Sequence, residues 1–101
     1  MEELFLLAIW RLQEDAYGLT IRQQVAGLLE REVSLGTVYL SLERLERSGL
    51  VAARESDPVA RRGGRRKRLY RLTPRGLSAL AAIWRLHEAA WAGLTLPALE
   101  R

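Results

Sequence analysis

Residues 34–55, SLGTVYLSLERLERSGLVAARE, combine a capped helix with the strand that follows it. Ser34 is a preferred N-cap residue, and the helix after it has a single apolar stripe, formed by Leu35, Val38, Leu42 and Leu45. Gly49 suits the end of that helix, because glycine readily takes the left-handed conformation that closes helices. Leu50 to Glu55 then have the composition of a short strand. We therefore predict an amphipathic helix leading directly into a strand.

Two further helices are predicted ahead of this segment. From Glu2 to Glu14, apolar residues at helical spacing cover more than one stripe, which is typical of a helix buried on two sides. Residues 15–18 resemble a turn. Thr20 and Gln23 have the spacing of a capping box, so the second helix should run from about Thr20 to Glu30.

A second strand and a fourth helix are predicted after it. Arg68 to Leu72 form a strand that should pair antiparallel with the first. Residues 56–67 between the strands hold turn formers, two adjacent glycines and five basic residues, so they form an exposed loop. Thr73 and Pro74 suit the N-cap and first position of the last helix. Its main stripe consists of Leu77, Leu80, Trp84, His87, Trp91 and Leu94.

Charge is concentrated in one segment of the 101-residue chain. The net charge is +4, yet residues 54–71 contain eight basic against two acidic residues, which is +6. Such a concentration is what a phosphate-binding surface requires. Taken alone, the basic loop could equally be a solvated surface, since that is the usual fate of a charge run. Its place between paired strands favours nucleic-acid binding, and RNA is a minor alternative to DNA.

Composition excludes most enzyme chemistry. The chain has no Cys and one His, which removes thiolate nucleophiles, cysteine-ligated metals and multi-histidine metal sites, so we expect neither an enzyme nor a cofactor. The longest apolar run, Leu4 to Trp10, is far shorter than the ~20 residues that span a bilayer. No secretory signal pattern is present, so we expect a cytoplasmic protein without a membrane partner.

The predicted order is helix, helix, helix, strand, basic loop, strand, helix. This is a mainly α fold with a two-stranded β-wing, namely a winged helix-turn-helix over residues 1–73 followed by a C-terminal dimerisation helix and tail over residues 74–101. In such a fold the third helix can enter a major groove about 12 Å wide while the wing contacts the backbone or minor groove beside it. The order therefore predicts binding to double-stranded DNA.

The sequence resembles the PadR-like family of transcriptional regulators. The resemblance runs from about Leu4 to Leu80 and rests on these motifs: Tyr17-Gly18, Gly36-Thr37-Val38-Tyr39, Leu42-Glu43-Arg44-Leu45-Glu46, Gly49-Leu50-Val51, Gly63-Gly64-Arg65 and Tyr70-Arg71-Leu72-Thr73-Pro74-Arg75-Gly76. Leu40 departs from the family, which usually has Pro after the Tyr. The chain resembles the short branch, which has a single C-terminal helix.

The resemblance implies a homodimeric repressor that binds a pseudo-palindromic operator. Carried over by position, the residues facing the groove are Ser34, Thr37, Tyr39, Leu40 and Arg44. The residues holding phosphates are Arg22, Arg61, Arg62, Arg65, Arg66 and Lys67. The dimer interface, built from the first and last helices, would include Leu4, Leu77, Leu80, Trp84, His87, Trp91 and Leu94. A small aromatic or hydrophobic effector would release the DNA, with Trp84 and Trp91 stacking on it.

Several of these residues have simpler interpretations. Tyr39 could be a half-buried packing residue as readily as a phosphate contact. Arg44 and Glu43 could pair with neighbours such as Arg47 along an exposed helix face. The two tryptophans could be ordinary core against the first helix of either subunit, and His87 suits an interface hydrogen bond better than a metal. At the level of function, the alternative is a winged-helix interaction module whose basic wing docks an acidic protein.

Overall fold

The computed structural model describes residues 1–56 and 67–99. Within them the helices are α1 (Glu2–Leu12), α2 (Gly18–Leu29), α3 (Leu35–Arg47) and α4 (Pro74–Trp91), and the strands are β1 (Val51–Glu55) and β2 (Arg68–Leu72). Short 3-10 turns cover Gln13–Asp15 and Pro97–Leu99. The mainly helical fold with a two-stranded wing and a C-terminal helix is confirmed. The tip of the predicted wing, residues 57–66, lies outside the described residues.

One apolar core joins α1, α2, α3 and the sheet. Its largest buried side chains include Phe5 and Ile9 of α1, Ile21 of α2, and Leu42 and Leu45 of α3. The four buried residues of α1, Phe5, Leu6, Ala8 and Ile9, face different directions around the helix, as its two-sided apolar pattern predicts. The core therefore fixes α3 from behind and leaves its opposite face to solvent.

The predicted signals at both ends of α3 are confirmed. The Ser34 hydroxyl accepts a hydrogen bond from the Thr37 backbone N–H at 3.1 Å, so Ser34 is the N-cap. At the other end α3 stops at Arg47, and Gly49 has a φ of 77°, in the left-handed region that glycine adopts without steric cost. The chain then turns directly into β1.

The wing strands pair antiparallel, with Val51 opposite Leu72 and Ala53 opposite Tyr70. Tyr70 and Leu72 are both buried, as their shared face predicts. β1 begins at Val51, one residue later than predicted, because the Leu50 N–H bonds to the Leu45 carbonyl and still belongs to the helix exit. The Tyr70 N–H donates to the Ala16 carbonyl at 2.8 Å, which ties β2 to the turn before α2.

The boundary between α1 and α2 differs from the prediction. α1 ends at Leu12 rather than Glu14, because Gln13 adopts a φ of 54° and the chain tightens into a 3-10 turn. α2 begins at Gly18, so the predicted capping box of Thr20 with Gln23 is wrong. Thr20 lies inside the first turn, where its Oγ1 accepts from the Tyr17 N–H at 2.9 Å.

α4 begins as predicted, with the Thr73 hydroxyl accepting from the Gly76 N–H at 3.0 Å and Pro74 in the first turn. Leu80 and Ile83 pack against the core. The helix ends at Trp91, so the predicted continuation of its stripe to Leu94 is wrong: Leu94 lies beyond the helix in a turn. The division at residue 73 stays a prediction.

Candidate nucleic-acid interface

The outer face of α3 is the centre of the candidate site. Because Val38, Leu42 and Leu45 are buried, the opposite side of the helix carries Gly36, Leu40, Glu43 and Arg47, with Thr37 and Arg44 along one flank and Tyr39 along the other. Leu40 is 58% exposed and Tyr39 is 50% exposed. The five predicted groove residues, Ser34, Thr37, Tyr39, Leu40 and Arg44, are thus all exposed on α3 or at its start.

The N-terminal turn of α3 is held by two hydroxyl groups. The Ser34 hydroxyl caps the helix, and the Ser34 and Thr37 oxygens lie 3.0 Å apart in a hydrogen bond. The turn between α2 and α3 is braced by Arg22, whose Nε donates to the Val33 carbonyl at 2.8 Å. Arg22 therefore has a structural bond that sequence reasoning, which assigned it to phosphate, did not predict.

Tyr39 connects α3 to the start of α2. A Cβ atom built on Gly18 would overlap the Tyr39 hydroxyl and lie 2.9 Å from its Cζ atom, so the ring crosses directly over this glycine. Half of the side chain remains in solvent. Tyr39 is therefore a packing residue with an exposed ring at the N-terminus of α2, where backbone N–H groups favour anions. Gly18 is therefore part of the site, whereas the sequence analysis named it only within the Tyr17-Gly18 motif.

An ion pair joins α3 to the wing. Arg68 Nη2 lies 2.9 Å from Glu46 Oε2, and the Arg68 guanidinium lies 5.8 Å from the centre of the Tyr70 ring. A hydrogen bond with Tyr70 and the charge of Glu46 raise the pKa of Arg68 above its already high ordinary value. Burial raises the pKa of Tyr70, while the adjacent Arg68 opposes that rise. Neither Glu46 nor Arg68 was among the predicted site residues.

A second contact holds the wing at the turn before α2. Lys67 Nζ lies 4.1 Å from the centre of the Tyr17 ring, a cation–π distance. The Lys67 N–H donates to the Ser56 hydroxyl at 2.8 Å, and the Ser56 N–H donates to the Lys67 carbonyl at 2.7 Å. Lys67 thus lies at the wing base, near α2. The other four predicted wing contacts, Arg61, Arg62, Arg65 and Arg66, lie outside the described residues.

Glu43 pairs with Arg47 one turn later, with Oε1 and Nη2 2.8 Å apart. Both side chains are more than 60% exposed, so this pair contributes little to stability. The simpler interpretation expected Glu43 and Arg44 to pair with neighbours such as Arg47. Glu43 does pair with Arg47, whereas Arg44 takes no part in that ion pair. Arg44 is exposed on the flank of α3 shared with Thr37.

The predicted dimer residues lie on α1 and α4, apart from Leu94, which follows α4. Leu4 and Leu80 are partly buried within the protomer, whereas Trp84 is 64% exposed, Trp91 45% and Leu94 63%. His87 Nε2 lies 3.1 Å from Glu3 Oε1, which links α4 to α1. Trp84 and Trp91 are therefore not core residues of a single protomer. Trp10 of α1, 47% exposed, is another apolar side chain that sequence analysis did not assign.

Residues 1–56 and 67–99 contain no cluster of three or more His, Cys, Asp or Glu that could hold a metal ion. In that same part of the chain, the helices are too short or too polar to cross a membrane. A cleft of about 240 Å³ lies between the end of α1 and the wing strands, lined in part by Trp10, Arg54 and Arg71, rather than between Trp84 and Trp91.

An exposed helix preceded by a helix and a tight turn, with a braced β-wing at its side, defines the winged helix-turn-helix class of DNA-binding proteins. The model of the transcriptional regulator PadR-like family matches residues 6–82. The chain belongs to this family of transcriptional regulators, as the sequence motifs predict.

Solved structures agree with this assignment. A PadR family transcription regulator from Clostridium difficile is 30% identical, with a TM-score of 0.64 over 90% of this chain and 94% of that one. A PadR family regulator from Eggerthella lenta is 27% identical, with a TM-score of 0.68 over 89% of this chain and 76% of that one. BpsR of Bordetella bronchiseptica, at 21% identity, shares the fold, with a TM-score of 0.64 over 96% of this chain and 67% of that one. No curated protein matches the chain.

Proposed function

We propose that this protein is a homodimeric, sequence-specific repressor that binds a pseudo-palindromic operator and leaves it when a small aromatic or hydrophobic effector binds. The observation that carries the proposal is the exposed outer face of α3, held beside the wing by the ion pair between Glu46 and Arg68. A helix held at its back by the core and at its side by the wing presents a fixed face to a groove. Repression would follow from occlusion of a promoter.

Two sets of residues would contact the DNA. Ser34, Thr37, Tyr39, Leu40 and Arg44 would face the base edges, since they lie at the start and outer sides of α3. Lys67, Arg22 and the basic residues Arg61, Arg62, Arg65 and Arg66 would hold phosphates, which fixes the register of the protein without selecting a sequence. Arg22 would do so through its Nη groups, because its Nε is bonded to the Val33 carbonyl.

Dimerisation is supported by apolar side chains that a single protomer leaves in solvent. Trp84, Trp91 and Leu77 on α4, Leu94 after it and Trp10 on α1 are all at least 39% exposed. Monomeric proteins rarely expose so many large apolar residues on neighbouring elements. In the proposed dimer α4 and α1 of one subunit cover those of its partner, with Leu4, Leu80 and His87 at the edge of the contact.

Release by an effector is supported by the nature of the exposed tryptophans. Indole rings at a dimer centre can stack on a flat aromatic molecule. BpsR, which shares the fold, is a protein whose DNA binding is regulated by 6-hydroxynicotinic acid, a small aromatic compound. An effector releases DNA only if it binds the DNA-free arrangement of the dimer more tightly than the DNA-bound one. Trp84 and Trp91 are the residues proposed to cause this difference in effector affinity between the two arrangements.

Selection of binding sites from random duplex DNA tests the proposal. The purified protein should enrich an inverted repeat, and its half-site spacing should match the distance between two recognition helices. Binding should weaken steeply with salt, because each neutralised phosphate releases counterions. Arg44→Ala should relax the base preference at one position of each half-site, whereas loss of a wing arginine should weaken all duplexes alike.

Failure to enrich any sequence, with salt-sensitive binding retained, would contradict the repressor and support the alternative function. In that case the basic wing would dock an acidic protein surface, and random duplex would compete as well as any selected site. A sequence-specific regulator should instead prefer its site over random duplex by about 10³ or more.

A further inference from the structure

Leu40 is the large aliphatic residue of the outer face of α3. It lies one turn after Gly36 and is 58% exposed, while the apolar residues of the core stripe, Val38, Leu42 and Leu45, are buried. The other outward positions in and after its turn are occupied by Thr37, Glu43, Arg44 and Arg47. Leu40 is therefore an exposed apolar side chain on the outer face of α3, where the side chains around it are polar.

Dimerisation does not explain this exposure. Of the other large apolar side chains that the described residues expose, Leu19 and Leu28 lie on α2 and Tyr39 on α3. The rest lie at α1, on α4 or in the segment after it, namely Met1, Trp10, Leu77, Trp84, Leu86, Trp91, Leu94 and Leu96. Leu40 lies on α3, on the side opposite the buried residues Val38, Leu42 and Leu45 that pack into the core. A surface that joins α4 and α1 of two copies would leave Leu40 in solvent.

Because Gly36 has no side chain, Leu40 is the side chain that projects furthest from this face near the start of α3. A Cβ atom placed on Gly36 would meet only the Ser34 hydroxyl, at 3.8 Å, so the space above this glycine is open. Gly36 and Leu40 share one face because they are four residues apart. Without a side chain at Gly36, the first turn of α3 can approach the floor of a groove closely, and Leu40 projects ahead of it.

The major groove offers one apolar group to such a side chain, the C5-methyl group of thymine. Apart from the C–H edges of the bases, the other groups on its floor are hydrogen-bond donors and acceptors, which an aliphatic side chain would desolvate without replacing their bonds. We propose that Leu40 contacts a thymine methyl group in each half-site and thereby specifies a thymine there. This inference rests on the proposed function, because it assumes that α3 enters a major groove.

The test replaces thymine by deoxyuridine in the selected site, one position at a time, since this change removes only the methyl group. At one position, the wild-type protein should lose about fourfold in affinity per half-site, the value of burying one methyl group, and about 15-fold when both half-sites are changed. Leu40→Ala should bind the thymine and deoxyuridine duplexes equally at that position. Arg44→Ala is the matched control on the same helix, and it should keep the discrimination.

The outcomes separate the two proposals. If no inverted repeat is enriched, the proposed function fails and this inference fails with it. If a site is enriched but no thymine-to-deoxyuridine change reduces wild-type affinity, or Leu40→Ala still discriminates, the function stands and the role of Leu40 is overturned. Circular dichroism of Leu40→Ala should show an unchanged fold, since the side chain is exposed.

Discussion

Arg68 of β2 and Glu46 of α3 are 22 residues apart in sequence, and their side chains meet at 2.9 Å. This bond joins the base of the wing to the last turns of α3. In the proposed complex, it also places a carboxylate beside a cation on the DNA-binding side. The pair therefore links the position of the wing to α3 and would lower the positive charge of that side.

Glu46→Gln should tighten non-specific DNA binding. The amide keeps a hydrogen-bond acceptor for Arg68 but removes the negative charge, so Arg68 can approach a phosphate. We expect the logarithmic salt slope to steepen by about 0.9, the value of one additional phosphate contact. The free energy of unfolding should change by less than about 1 kcal/mol, because both side chains are partly exposed. Fluorescence anisotropy at several salt concentrations measures the slope.

Arg68→Gln is the control for that prediction. Because Arg68 gains its phosphate contact only when Glu46 is neutral, Arg68→Gln should leave the salt slope close to that of the wild type, and the double variant with Glu46→Gln should behave like Arg68→Gln alone. A steeper slope that persists in the double variant would mean that Glu46 acts on the DNA directly, against the role assigned to the pair.

Tyr70→Phe should make stability less sensitive to alkaline pH. Burial raises the pKa of the Tyr70 hydroxyl above its ordinary value of 10.0. Between pH 10.0 and the higher folded pKa, the unfolded chain has lost this proton while the folded chain keeps it, so stability falls as pH rises. The contribution of the raised pKa to the free energy of unfolding is fully present below pH 10.0. It is lost as the pH rises to the folded pKa, by at most about 1.4 kcal/mol per pH unit.

Urea unfolding of both proteins at pH 7 and above pH 10 measures this effect. The wild type should lose stability as the pH rises above 10, because its Tyr70 hydroxyl has a raised pKa, whereas the variant, which lacks the hydroxyl, should lose less. Parallel losses of stability in the two proteins would contradict the assignment.

Gly18→Ala should weaken DNA binding with little effect on stability. The new methyl group would overlap the Tyr39 hydroxyl, but the ring is half exposed and can rotate into solvent without disturbing the core. Its affinity for the selected site should fall to that of Tyr39→Ala, and the double variant should be no weaker than either. Unchanged affinity in both single variants would leave Tyr39 a packing residue only.

Trp84→Glu should produce a folded monomer. Trp84 is 64% exposed in the protomer, so a glutamate there is tolerated by the fold, whereas an unpaired charge in an apolar subunit contact is strongly unfavourable. Leu80 is a poorer choice because it packs against the protomer core. Sedimentation should give half the wild-type mass, with circular dichroism unchanged. Arg85→Glu, whose side chain points about 100° away from Trp84 around α4, should remain a dimer.

Local patterns in the sequence predicted most of the fold. The Ser34 cap, the Gly49 terminus and the Thr73-Pro74 start are confirmed because each depends on residues within one turn of it. The end of α1 was missed because Gln13 takes a φ of 54°, which its residue type does not indicate. Thr20 is a residue type that often caps helices, but it lies inside α2, which begins at Gly18, and its Oγ1 accepts from the Tyr17 N–H.

Less of the candidate site than of the fold could be predicted from the sequence. The periodicity of α3 gives its exposed face, and that part is confirmed. The contacts of Tyr39 with Gly18 and of Glu46 with Arg68 join elements that are distant in sequence, and no spacing rule connects them. Arg22 was assigned by position to phosphate, yet its bond to the Val33 carbonyl depends on the path of the turn after α2.

Gly36→Ala should separate stability from DNA recognition. Nothing in the described protein obstructs a methyl group at Gly36, and alanine is favoured over glycine in a helix, so the free energy of unfolding should rise by about 0.5–1 kcal/mol. The same methyl group would lie between α3 and the floor of the groove, so affinity for the selected site should fall about tenfold or more. Gly27→Ala is the matched control, because a Cβ there meets nothing within 4 Å and the glycine lies on α2 rather than on α3. That variant should gain stability and keep wild-type affinity. Equal affinities for the two alanine variants would mean that the first turn of α3 does not approach the bases closely.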